Sequence, residues 1–210
     1  TGPILLAAAL SAVTWDFLFI PPQFTLHIER PEDILMLVMF FIIALLNGIL
    51  TSRVRLQEKK IRIREERTEA LYQLNRELNT VSVLNEVSVI AVKYINKYFN
   101  LVSVIFLKNE LNQLDNRSQI NTNIQFSDNE FSIAVWVFKH SLKAGKNTNT
   151  LPSTAFTFYP LTGNNGNMGV IAVEHLRVFT QGEDQFWESS LSQISGKYER
   201  EFLRTSANKP

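Results

Sequence analysis

The sequence predicts an α+β protein in which two transmembrane helices and a connecting helix precede an antiparallel sheet with helices packed against it. Two apolar runs of helical length lie within the first 52 residues. An uninterrupted helical pattern follows, and short β-rich runs then alternate with amphipathic helices. We therefore expect a transmembrane helical hairpin over 1–52, a helical, coiled-coil linker over 53–80 and a soluble domain over 81–207.

Composition excludes several classes of function. The chain has 210 residues and a net charge of +1, which argues against nucleic acid as a partner. It has no cysteine, so disulfides, thiol nucleophiles and cysteine-ligated metals are excluded. The three histidines, His27, His140 and His175, are far apart and lack a second ligand at metal spacing. We expect no metal site and no cofactor.

The membrane prediction depends on the two apolar runs. The first, Pro3–Ile20, ends at Pro21-Pro22, and the second begins at Ile34. Each has about 17–19 residues, the low end of what crosses a bilayer core of about 30 Å. A hairpin of buried core helices is the alternative. Asp16 is either a functional carboxylate embedded in the membrane or a hydrated interfacial group close to Pro21.

The charges that flank the second run predict its orientation. The loop 21–33 carries one arginine beside three acids. A basic cluster follows the run, made of Arg53, Arg55, Lys59, Lys60, Arg62, Arg64 and Arg67. By the positive-inside rule, the residues after 52 lie in the cytoplasm and the loop lies outside.

The connecting helix extends from Ile34 to Val81 without a proline and with a single glycine, which allows one helix of about 70 Å. A coiled-coil seam with a second copy of the chain, and so a homodimer, is predicted by Leu71, Leu74, Leu78 and Val81. Another register with a seven-residue step lies upstream, at Val54, Ile61 and Thr68. The register shift either serves a moving signalling helix or means that only the lower half pairs.

The soluble domain begins with an amphipathic helix over 81–99 and a buried strand at Leu101–Leu107. A weak edge strand is expected around Ser118–Ile120. Ser127-Asp-Asn-Glu130 is a capping box that starts a second helix. The loop from Lys143 to Pro152 follows this helix.

Two further strands, Thr154–Leu161 and Met168–His175, flank the hairpin turn GNNGN. Thr180-Gln-Gly-Glu183 caps a last helix. The apolar stripe of that helix contains Trp187, Leu191, Ile194, Tyr198 and Phe202.

Candidate chemistry is limited to binding. The sequence contains no GxGxxG, GxxxxGK[ST], HExxH or GxSxG motif, so we name no catalytic residue. A sensory loop and pocket between helix, loop and sheet is predicted from Trp136, Phe138, Gly145, Thr148, Thr150, Pro152 and Tyr159. For Trp136 and Phe138, a position in an ordinary core is the favoured alternative.

Several motifs carry a resemblance to a known family. Trp15-Asp-Phe-Leu-Phe-Ile-Pro-Pro22 and Arg30-Pro-Glu-Asp33 resemble the last two of four membrane helices in KdpD-type sensor histidine kinases. The second half is similar to the GAF domain that follows in those proteins. That similarity is carried by Val135-Trp-Val-Phe-Lys-His140, Ala144-Gly-Lys-Asn-Thr-Asn-Thr-Leu-Pro152, Tyr159-Pro-Leu161 and Gly169-Val-Ile-Ala-Val173.

The resemblance implies a sensory and signal-transmitting fragment of a dimeric two-component sensor that regulates high-affinity potassium uptake. It implies the bacterial inner (cytoplasmic) membrane, a cytoplasmic GAF-like domain, and a small ligand or potassium as the species sensed. Intact members are ATP-dependent protein histidine kinases that phosphorylate a response regulator. The kinase module is absent here, so the response regulator would be a partner only through that module. Asn149 stands where the family pattern implies Asp.

An alternative function is a GAF-like dimerisation scaffold without a bound ligand. Its support is the Leu71–Val81 seam together with the Trp187–Phe202 stripe. A domain interior filled by side chains, without a polar-lined pocket, is what this alternative predicts.

Overall fold

The computed structural model describes residues 31–115, 124, 126–174 and 178–207, and seven helical residues of the first apolar run, which are 6, 7, 10, 11, 14, 17 and 18. The rest of that run, including Asp16, lies outside the described residues, and so does the predicted edge strand around Ser118–Ile120. The number of transmembrane helices is therefore not addressed by the described part of the chain. The chain divides into two compact units, Thr1–Glu66 and Arg67–Pro210.

Helix α1 (Pro31–Thr80) contains the second apolar run and continues without a break. It begins three residues before the predicted Ile34 because proline is well tolerated in the first turn of a helix. Within the described residues, Ile34–Thr80 is the one helix long and apolar enough to cross a membrane. The described large apolar side chains of its first part, from Ile34 to Leu50, are exposed, Leu35 by 66% and Met36 by 70%. A continuous apolar surface of this kind is unfavourable in water and favours contact with lipid.

The second unit has the predicted α+β architecture, apart from the edge strand outside the described residues. After α1, its elements are α2 (Leu84–Phe99), β1 (Ser103–Leu107), α3 (Asp128–His140), β2 (Ala144–Gly145), β3 (Thr157–Gly163), β4 (Gly166–Val173) and α4 (Gln181–Ala207). The strands form an antiparallel sheet in the order β1-β4-β3-β2. The two-residue strand β2 lies in the segment predicted to be wholly loop. It forms because Ala144 and Gly145 pair with Phe158 and Thr157.

Alternation along the strands separates two cores. Ile105 and Ile171 belong to a first core with α2, α4 and the end of α1, whereas Val104 and Val170 belong to a second core under α3. Successive side chains of a strand point to opposite faces, so the two cores lie on opposite sides of the sheet. An aromatic group fills the second core, made of Phe106, Phe126, Phe131, Phe156 and Phe158.

The last turns of α1 belong to the first core. Leu74 and Leu78 are only 1% and 2% exposed within a single chain. The Gln73 side-chain oxygen accepts a 2.8 Å hydrogen bond from the Tyr98 hydroxyl on α2. The prediction that Leu74 and Leu78 form a seam with a second copy is therefore wrong. Apolar residues three and four positions apart mark one buried helix face, whichever partner covers that face.

Most of the apolar stripe of helix α4 is also buried in the first core of its own chain. Trp187, Ile194 and Tyr198 are at most 1% exposed in the first core. The Tyr198 hydroxyl is hydrogen-bonded to that of Ser88 on α2. The central residues of both features that supported a dimerisation scaffold are thus buried within one chain.

Local signals in the sequence correctly located the starts of two helices. The Ser127 hydroxyl accepts from the Glu130 backbone N–H, and the Glu130 carboxylate accepts from Ser127 N–H at 2.9 Å, which confirms the capping box of α3. At the start of α4, Glu183 accepts from the N–H of Thr180 at 2.9 Å. The buried Asn167 of β4 donates to the Phe138 carbonyl at 2.6 Å, so the sheet also caps the end of α3.

Candidate functional site

The loop that follows β2 is a tightly bonded turn. The Thr148 hydroxyl donates to the carbonyls of Gly145, at 2.7 Å, and Thr150, at 2.8 Å. The Gly145 N–H donates to the same Thr150 carbonyl at 2.8 Å. Gly145 has a φ of +105°, and a Cβ at this position would lie 2.3 Å from the Phe156 carbonyl. Only glycine allows this approach, which places the loop against the start of β3.

Two adjoining cavities lie between β3 and α4, the smaller beside this loop and the larger beside residues 141–143. The smaller measures about 130 Å³ and is lined by Lys146, Thr148, Phe179 and Asp184 among others. The larger measures about 310 Å³, at the lower end of the volumes of small-molecule sites. Lys143 and Tyr159 line both cavities. We call the two cavities together the Tyr159 cleft.

Tyr159 is the aromatic centre of the cleft. It lies on β3, is half-buried against the first core, and packs edge-on against Trp187 with ring centroids 5.2 Å apart. Burial raises the pKa of its phenol well above the usual range, and the nearby carboxylates of Asp184 and Glu188 raise it further. The phenol therefore stays protonated at neutral pH and keeps an O–H to donate.

The charges around the cleft have both signs. Lys143 lies at both cavities, Asp184 at the smaller and Glu188 at the larger. The larger cavity also has hydroxyl groups, from Ser141, Thr162, Ser192 and Ser195. These groups can bind a small polar ligand through charge-assisted and neutral hydrogen bonds. Among the described residues, no group of three or more His, Asp or Glu side chains could hold a metal ion.

The structure brings only part of the predicted pocket together. Thr148 and Tyr159 line the same cavity. Gly145 and Thr150 accept the hydrogen bonds of the Thr148 hydroxyl, which positions the loop. Pro152 is exposed.

The two aromatic residues predicted for the pocket lie elsewhere. Trp136 and Phe138 are on α3 and pack against the second core, on the opposite side of the sheet from Tyr159. Trp136 stacks on His140 with ring centroids 4.3 Å apart. The structure therefore separates these two residues from the Tyr159 cleft.

The charged residues of the cleft were not predicted from the sequence; they are Lys143, Lys146, Asp184 and Glu188. Lys143 and Lys146 lie within two residues of Gly145 in the sequence, so their closeness to the predicted loop could have indicated them. No local signal, however, places the first turns of α4 beside a loop some 40 residues earlier, because that approach depends on the packing of α4 on the sheet.

The fold of the second unit is that of a GAF domain. The crystal structure of the GAF domain of the potassium sensor histidine kinase KdpD from Escherichia coli matches with a TM-score of 0.60 and 20% identity, covering 68% of this chain and 99% of that one. The GAF domain of an Acinetobacter phosphoenolpyruvate-protein phosphotransferase matches with a TM-score of 0.51 and 17% identity, covering 67% and 98%. The predicted GAF-like class is confirmed.

The sequence is similar to that of KdpD sensor proteins across both units. It is 27% identical to Sensor protein KdpD of Escherichia coli (strain K12) over 172 residues, which cover 82% of this chain and 19% of the relative. It is 23% identical to Sensor protein KdpD of Clostridium acetobutylicum over 175 residues, or 80% and 19%. Residues 1–64 also match a domain of unknown function, DUF4118. The resemblance to KdpD-type sensors is confirmed, and the chain spans about a fifth of these relatives' length.

Proposed function

We propose that this chain is the sensory and signal-transmitting segment of a two-component sensor histidine kinase. The observation that supports this most directly is α1, one helix that contains both the exposed apolar run from Ile34 and the leucines buried in the GAF-like core. A change in one part of a continuous helix can bias the other if the two arrangements differ in free energy. The similarity to KdpD sensor proteins supports the same function.

The resemblance also suggests where the segment works and what it regulates. We infer a bacterial inner membrane location with the GAF-like unit in the cytoplasm, since the basic cluster follows the apolar run. The similarity of this chain to KdpD sensors suggests that the sensor controls high-affinity potassium uptake, and that it does so through a kinase module and its response regulator. In this proposal, residues 1–52 are the membrane part, 53–80 the linker and 81–207 the sensory domain.

A homodimer is part of the proposal, but its contact differs from the seam at Leu74 and Leu78. Val54 and Ile61 are seven residues apart and are 44% and 54% exposed. This spacing suits a parallel pair of helices in the upstream half of the linker.

Insertions after Glu65 test the coupling through α1. This position precedes Arg67, where the second unit begins, so the packing of Leu74 and Leu78 is left intact. One inserted residue rotates the upstream half by about 100°, whereas seven residues change the phase by only about 20°. In a chimera that carries this segment in a KdpD sensor, we expect the single insertion to abolish most of the stimulus-dependent autophosphorylation. The seven-residue insertion should retain it.

The seven-residue variant is the control, because both insertions lengthen the same helix at the same place. If both variants respond like the parent chimera, coupling through the phase of α1 is wrong. If both lose the response, the length of α1 is what matters and not its rotation.

The Tyr159 cleft is the ligand site that we propose for this sensor. Calorimetry of the chain in nanodiscs with potassium chloride, sodium chloride or ATP should give heat for one of them. For an anionic ligand, Lys143→Ala should weaken binding about tenfold, because a charge-assisted hydrogen bond is lost. For potassium, the same substitution should tighten binding, because a like charge is removed.

Lys139→Ala is the matched control, since Lys139 is exposed on α3 on the opposite side of the sheet. It should leave the affinity unchanged. Equal affinities for the wild type and both variants, or no heat with any of the three titrants, would contradict a binding site for them in the cleft.

A further inference from the structure

The turn between β3 and β4 is held by a carboxylate from the last helix. Glu199 of α4 accepts hydrogen bonds from two consecutive backbone N–H groups, from Asn164 at 2.8 Å and from Asn165 at 2.6 Å. Each oxygen of the carboxylate takes one N–H. A paired contact of this kind fixes both distance and orientation, so the turn and the helix are joined at a defined point.

The surroundings of Glu199 are shaped for this contact. The residue is only 5% exposed. A Cβ on Gly163 would lie 2.6 Å from its Oε2 atom, so any side chain at position 163 would displace the carboxylate from this contact. The two turn N–H groups lower the pKa of Glu199 below its ordinary 4.5, and Lys108 at the end of β1 acts in the same direction. The carboxylate is therefore ionised, and the contact is fully formed, at neutral pH.

The two elements joined by Glu199 are also the two walls of the Tyr159 cleft. Strand β3 carries Tyr159 and ends at Gly163, the residue before the turn. Helix α4 carries Glu188 at the larger cavity and Glu199 eleven residues later, about three helical turns away. A ligand that separates or closes the two walls must therefore act on a strand and a helix that are tied at one end.

We propose that Glu199 is a latch that transmits the position of the cleft wall on β3 to the C-terminal part of α4. The proposal rests on the proposed function of the cleft. It specifies how a change in ligand occupancy is transmitted from the cleft to the end of the domain. With the latch formed, the hairpin and the segment after Glu199 move together. With the latch broken, the cleft can still bind while the end of α4 becomes independent of it.

Hydrogen–deuterium exchange of the chain in nanodiscs tests the latch with Glu199→Gln. Glutamine has almost the same size as glutamate, but it has only one acceptor oxygen. Its amide NH2 group would face one of the two turn N–H groups, donor against donor. We expect the amides of Asn164 and Asn165 to exchange about tenfold faster or more. The amides of Arg200–Arg204 should also exchange faster. Glu174→Gln, at an exposed carboxylate after β4, should change neither segment.

A second variant approaches the latch from the turn. Gly163→Ala places a Cβ against the Glu199 carboxylate and should produce the same two changes in exchange, even if Glu199→Gln folds poorly. Its control is Gly196→Ala on α4, where a Cβ meets no atom within 4 Å. If neither latch variant alters the turn amides, or if the change stays in the turn and does not reach Arg200–Arg204, the latch is wrong.

The failure of the latch can be told apart from the failure of the cleft as a ligand site. The exchange measurements need no ligand, so they decide the latch by themselves. In the calorimetric titrations described above, Glu199→Gln should retain the wild-type affinity. Absence of heat with the wild type would contradict the cleft alone, whereas loss of affinity in Glu199→Gln would contradict a latch that acts after binding.

Discussion

Replacing Leu78 with alanine should lower the free energy of unfolding of the GAF-like unit by about 2–5 kcal/mol. Leu78 is 2% exposed and packs in the first core, so the substitution removes buried methyl groups and leaves a cavity. Chemical denaturation of the chain in detergent micelles, followed by near-ultraviolet circular dichroism, measures this change. A loss of this size would mean that the last turns of α1 contribute to the stability of the GAF-like unit.

Tyr72→Ala is the matched control on the same helix, because Tyr72 is 63% exposed. It should change the free energy of unfolding by no more than about 0.5 kcal/mol. The oligomeric state of both variants, measured by light scattering, separates the two interpretations of the leucine spacing. If Leu78→Ala weakens self-association while the unfolding free energy stays unchanged, Leu78 belongs to a seam between two chains after all.

Trp187→Ala should cost about 3–5 kcal/mol of unfolding free energy and should also disturb the Tyr159 cleft. Trp187 is fully buried, and its ring contacts Phe99 at 5.0 Å, Tyr159 at 5.2 Å and Phe179 at 5.8 Å between centroids. Removal of the indole leaves these three rings without their common neighbour. We therefore expect both a lower denaturation midpoint and a weaker affinity for any ligand of the cleft.

Trp136→Ala is the comparison, since it deletes the same side chain from the opposite face of the sheet. Trp136 is half-buried on α3 and stacks on an exposed histidine, so its loss should cost less than about 1 kcal/mol. Ligand affinity should not change. Equal destabilisation by the two alanine variants would mean that burial in the first core does not dominate the stability of the domain.

The predictions from sequence were most accurate where the signal is local. The capping box at Ser127 and Glu130 is a contact between residues three positions apart, and it is present in the structure. The predicted strand Met168–His175 corresponds to β4 at Gly166–Val173, because a run of β-branched and apolar residues has few alternatives to a buried strand. The unbroken helix through Gly48 was predicted from the absence of proline.

The resemblance to KdpD-type sensors was also visible in the sequence, since it depends on residue identities at matched positions. It predicted the GAF-like fold that the structural comparisons confirm. It did not separate the residues of the cleft from those of the core. Trp136 and Tyr159 both lie in motifs that carry the resemblance, yet they lie on opposite faces of the sheet.

By itself, then, the sequence determined the type and order of the elements other than β2, the starts of α3 and α4, and the family resemblance. The tertiary structure alone decided that Leu74 and Leu78 pack within their own chain, that the cleft gathers Lys143, Tyr159 and Glu188, and that Glu199 holds the turn at Asn164. The physical reason is periodicity. A helical or strand repeat in the sequence indicates that one face of the element is buried. Which element covers that face depends on how the whole elements pack together.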